Sequence, residues 1–177
     1  ANLHTFLGVS KPRTSLTDFF EKKRSLSDLV VSTGIENLSL LVGAVHSLAA
    51  DNIKYAQKIK LLRHIQSLDT DYVLVDLGAG AHFNTIDTFL LADRMIVLIV
   101  PEITAIENMY YFIKNVFFRQ LMKTLTANGH KEAFHDVWLN RTAYRISNLR
   151  QFIDHLTRTS DDIKAIIDRE LGPFCVH

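Results

Sequence analysis

Tyr72-Val-Leu-Val-Asp76-Leu-Gly-Ala-Gly80 runs from a greasy, β-branched segment straight into an acid with two glycines behind it. Residues 72–77 are short and apolar throughout, as in a strand covered on both faces. The pattern therefore predicts a strand with a carboxylate at its tip and a glycine turn after it. An acid in that place holds a magnesium-bound nucleotide, binds the ribose of a cofactor, or accepts a phosphoryl group. The rest of the chain has to choose between these.

Outward from this stretch, apolar runs alternate with helical patterns. Upstream, Leu38 to Val42 is a short apolar run closed by Gly43 and reads as a buried strand. From Asn52 to Leu68, Ile53, Ala56, Ile59, Leu62 and Ile65 recur every three residues, the stripe of an amphipathic helix. Ser15-Leu-Thr-Asp18 has the form of a capped helix start. Downstream, Thr85 to Leu91 reads as a short helix, and Arg94 to Val100 as another strand, ending at Pro101-Glu102. A long helix follows from about Thr104 to Leu125. Its aromatics Tyr110, Tyr111, Phe112, Phe117 and Phe118 exceed what one inward face needs, so some meet another element or subunit.

From Lys131 to Leu171 the pattern is helical throughout, with N-cap signals at Ser147-Asn148 and Thr159-Ser160-Asp161-Asp162. Strands alternating with helices imply an α/β fold, a mainly parallel sheet flanked by helices. Residues 1–177 read as one domain, with 126–171 as a helical segment.

Composition narrows the function classes. With 177 residues, 47% of them apolar and 22% charged, the chain suits an ordinary globular core. A net charge of +1 without a long basic run gives no basis for bulk or sequence-specific nucleic-acid binding. A single cysteine, Cys175, excludes an internal disulfide framework and makes a reducing, cytoplasmic setting the expectation. The run from Met95 to Pro101 is far too short to span a bilayer. His130 and His135, five apart, lie well off one helical face and lack metal-ligand spacing.

Asp76-Leu-Gly-Ala-Gly80 resembles the turn of S-adenosylmethionine-dependent methyltransferases, with Glu102 after the next strand as the ribose acid. That turn closes the first strand of such a domain, whereas a long stretch with its own strand precedes it here. His82 also stands in place of a small residue. A phosphoacceptor would need an acid pair and a strand-end lysine, but Lys114 falls within a predicted helix.

The third reading draws on the surroundings. DYVLVDLGAG, a short helix, then LLADRMIVLIVPEITAIENMYYFIK resembles the MinD/ParA family of P-loop ATPases, and within it the MinD-like flagellar-number regulators. Ala92-Asp93 before the apolar run, Pro101-Glu102 after it, and the opening Ala-Asn-Leu-His carry the likeness, which covers roughly residues 1 to 125.

The resemblance implies that Asp76 is the Walker B carboxylate, acting on magnesium through water, and that Gly78 and Gly80 face the γ-phosphate. Pro101 and Glu102 would sit at the nucleotide edge of the sheet. Asn2, Glu107, Asn108 and Tyr110 would belong to a dimer or partner surface. ATP and Mg would be the cofactors, and ATP-dependent dimerisation would position or count a cellular structure. A scaffold that has kept the fold without turnover is the non-enzyme alternative.

No Gly-x-x-x-x-Gly-Lys-Ser/Thr loop occurs. The expectation is thus a fragment, truncated at both ends, that binds ATP weakly or not at all. Leu139-Asn140-Arg141 mimics the family's adenine-contacting pair but lies between helical patterns. Missing a central strand, the chain is expected to form a homodimer or a strand-exchanged oligomer. Membrane contact is not expected to be encoded in this fragment.

Overall fold

In the computed structural model, residues 3–9, 14–43, 55–78 and 80–172 are described. Asn2 and Cys175 lie outside them, as do the first three residues of the helix expected from Asn52. The chain divides into two compact units, Ala1–Ala79 and Gly80–His177.

The first unit contains helices α1 (Leu3–Phe6), α2 (Leu16–Phe20) and α3 (Tyr55–Ile65), and strands β1 (Val30–Ser32) and β2 (Ser39–Leu41). The capped start of α2 forms as the sequence predicts. Ser15 Oγ accepts from the Thr17 N–H at 3.3 Å, and the Asp18 carboxylate accepts from the Ser15 N–H at 2.9 Å. These bonds satisfy donors that a helix start leaves open. Phe19, Leu26 and Leu29 form a small core against Leu41, Leu61 and Ile65.

The second unit contains α4 (Phe83–Phe89), α5 (Ile103–Ala127), α6 (Lys131–Leu139), α7 (Leu149–Thr159) and α8 (Asp161–Glu170). The C-terminal half of α5 packs with α6, α7 and α8 around Leu121, Leu125, Phe134, Val137, Phe152, Leu156 and Ile163. Phe118 joins this core, its ring 4.8 Å from Trp138 and 5.5 Å from Phe152, which uses part of the aromatic excess of α5. Both caps read from the sequence are present. Asn148 Oδ1 accepts from the Gln151 N–H at 2.9 Å, and Ser160 Oγ from the Asp162 N–H at 3.2 Å.

The mainly parallel α/β sheet expected from the sequence is not found. Among the described residues the sheet is β1 paired with β2, antiparallel, with Val31 opposite Leu40. The run at Leu38–Val42 does yield a strand, but in this small ribbon rather than between parallel neighbours. Residues 72–77 and 95–100 have no regular secondary structure. Apart from the half-buried Leu77, their side chains face solvent, with Leu74 83% and Leu98 92% exposed. The physical reason is that a helix closes its hydrogen bonds within its own segment, whereas a strand needs a neighbour to bond. An apolar run can specify strand preference but cannot supply its partner.

Candidate functional site

In the chain, the residues singled out by the sequence fall just before α4 and at the start of α5. Asp76 and Gly78 close the first unit; Gly80, Pro101, Glu102, Glu107, Asn108 and Tyr110 belong to the second. Asp76 is exposed, and its carboxylate makes no hydrogen bond or ion pair among the described residues. Gly80 has φ of 113°, a conformation that favours glycine, just before His82 at the N-cap of α4. Glu102 is the N-cap of α5, in extended backbone, without a side-chain capping bond. The helix thus begins directly after Pro101-Glu102, where the sequence puts it. Glu107, Asn108 and Tyr110 are exposed on its first turns.

A cluster that sequence reasoning missed ties α4 to α5. Asp87 is buried at 5% exposure. Arg119 holds its carboxylate in a two-point grip, Nε to Oδ1 and Nη2 to Oδ2, both at 2.8 Å. Lys123 Nζ approaches Oδ1 at 3.0 Å. The Arg119 guanidinium also lies 5.1 Å from the centre of the Phe83 ring. Burial pushes the Asp87 carboxyl up, but hydrogen bonds from Arg119 and Lys123 outweigh it and hold the group below its ordinary value. The signal was available: an acid between Ile86 and Phe89 on a short apolar helix, and two cations one turn apart on α5. The arrangement locks two helices together and leaves no free group for proton transfer.

Elsewhere, Asn140 Nδ2 donates to Asp136 Oδ1 at 2.7 Å as it ends α6, and Arg141 lies over the Trp138 ring at 4.5 Å. The Leu139-Asn140-Arg141 triplet is thus engaged in local contacts. His130 Nε2 is 2.7 Å from Asp162 Oδ2, bridging the starts of α6 and α8.

Tested against a magnesium nucleotide, the residues present do not form a holder by themselves. Asp76 is a single exposed carboxylate, and no group of three or more His, Cys, Asp or Glu among the described residues could hold a metal ion. The sequence supplies no amide-rich phosphate loop to share the charge. Among the described residues no helix is long and apolar enough to cross a membrane.

No protein-family model and no solved structure matches the chain. Among curated proteins, the septum site-determining protein MinD of Helicobacter pylori is 29% identical over 109 residues, 60% of this chain. The chain spans 40% of the length of that relative, so the likeness is MinD-like and partial.

Proposed function

We propose that this chain is part of a MinD/ParA-like ATPase, cytoplasmic, which uses ATP-dependent dimerisation to position or count a structure in the cell. The order of motifs carries the reading. Asp76-Leu-Gly-Ala-Gly80 precedes a short helix, then Ala92-Asp93, an apolar run, Pro101-Glu102 and a long helix. That helix, α5, starts at Ile103. The partial similarity to MinD supports the same assignment. In this reading Asp76 is the carboxylate on which hydrolysis depends. Gly78 and Gly80 form the turn beside it, and Glu107, Asn108 and Tyr110 face a partner. The chain alone lacks a complete phosphate holder, so it binds ATP weakly or not at all.

The test is ATP hydrolysis by the complete gene product and by its Asp76→Asn variant. Hydrolysis by the first and its loss in the second, with partner binding intact, is the expected result. Equal turnover in both removes Asp76 from the role. No hydrolysis by either, with partner binding intact, favours a non-hydrolysing scaffold. Saturable binding of S-adenosylmethionine in calorimetry, with none of ATP, would replace the ATPase reading by the methyltransferase one.

A further inference from the structure

Directly before α5, Met95-Ile-Val-Leu-Ile-Val100 stands exposed along its whole length. Ile96 is 69% exposed, Leu98 92% and Val100 54%. Of its backbone groups, only the Val100 carbonyl has a partner among the described residues, accepting from the Glu102 N–H at 2.8 Å. Unpaired amides beside β-branched apolar side chains form a template for another strand. The apolar surface continues into α5, where Ile103, Ile106 and Tyr110 recur along one helix face and are exposed.

We propose that Arg94–Glu102 pairs antiparallel with the same segment of a second copy of this chain, about a two-fold axis at Leu98. Reversed about Leu98, the sequence Arg-Met-Ile-Val-Leu-Ile-Val-Pro-Glu exchanges valine with isoleucine at the two inner steps on each side, and arginine with glutamate at the ends. With Leu98 opposite its own copy, Val97 faces Ile99 and Ile96 faces Val100, so β-branched residues meet at each step. Arg94 then lies opposite Glu102 at both ends, which makes the ladder charge-complementary with itself.

Antiparallel pairs alternate between hydrogen-bonded and non-bonded positions. If Leu98 takes a bonded position, Pro101 falls opposite Met95 at a non-bonded one, where its missing N–H is not required. A same-patch interface of this kind closes as a dimer. This contact needs no nucleotide, which distinguishes it from the ATP-dependent dimer proposed above.

Sedimentation of the 177-residue chain tests it. The expected species is a dimer, and Leu98→Lys, which sets two like charges on the axis, should be monomeric with unchanged helical circular dichroism. Arg94→Glu and Glu102→Arg should each weaken the dimer about tenfold, and the double exchange should restore it. In a Cys175→Ser background, Leu98→Cys should oxidise to a disulfide dimer. Ile96→Cys, opposite Val100 rather than itself, should not.

A monomer at all concentrations would overturn the proposal. So would aggregates of mixed size that ignore the charge exchange, or a disulfide at Ile96→Cys and none at Leu98→Cys. Pairing of this segment only with a strand from a different protein would also overturn it.

Discussion

The helical array of α5 to α8 and the runs 72–77 and 95–100 are built from similar apolar residues, yet they end in opposite environments. Leu121, Leu125 and Leu156 are fully buried, while Leu74 and Leu98 are among the most exposed side chains. The helices meet their backbone needs inside each segment and then bury one stripe against neighbours a short connection away. The two runs can meet theirs only from another strand, and their side chains stay in water until one arrives. The energetic weight of the second unit therefore rests on helix packing, and the exposed run at 95–100 adds little to it.

This contrast can be broken or sharpened by substitution. The largest effect is expected at Phe152, which is buried and lies against Phe118, Phe134 and Trp138. Phe152→Ala should cost about 3–5 kcal/mol in denaturant unfolding. A loss below about 1 kcal/mol would mean that the array is not the stabilising element.

Next is Asp87→Ala, which leaves Arg119 and Lys123 facing each other without their shared anion. Breaking a buried pair costs about 3–5 kcal/mol, but both cations keep some solvent access, so about 2 kcal/mol is expected from thermal melts. The same pair sets a pH dependence. The Asp87 carboxyl titrates lower in the folded chain than when unfolded, so the unfolded chain binds more protons at acid pH. Its contribution should be complete above the unfolded value, about 3.9, and be lost as pH falls through the lower folded one. The difference in melting temperature between wild type and Asp87→Asn should accordingly shrink from pH 7 to pH 3.

Ser160→Ala removes the cap of α8 and should cost about 1 kcal/mol, read as an earlier unfolding transition. Smallest of all, Leu98→Ser should leave unfolding free energy unchanged within about 0.5 kcal/mol when both chains are compared at a concentration low enough for each to be monomeric. A large loss of stability there would show that the run is buried in the folded monomer and would erase the contrast.

Much of the helical half was legible in the sequence. Asn148 and Ser160 cap where they are expected, and α5 follows Pro101-Glu102 as the motif order implies. These features depend on a few neighbouring residues. The parallel sheet expected at Tyr72–Leu77 and Arg94–Val100 does not form among the described residues, because strand character in a segment does not specify its pairing partner. Asp87 escaped notice because its partners, Arg119 and Lys123, come from a different helix. Asp76 was singled out by its motif alone, and among the described residues its carboxylate makes no hydrogen bond or ion pair.

By itself the sequence determined the caps, the amphipathic stripes, the start of α5 and the apolar character of the two runs. All of these follow from spacing within a few turns of chain. Only the tertiary structure decided that the helices pack into a core, that Asp87 is clasped by Arg119 and Lys123, and that the two runs pair with no strand among the described residues. Those outcomes depend on which distant segments meet, and local spacing carries no information about that.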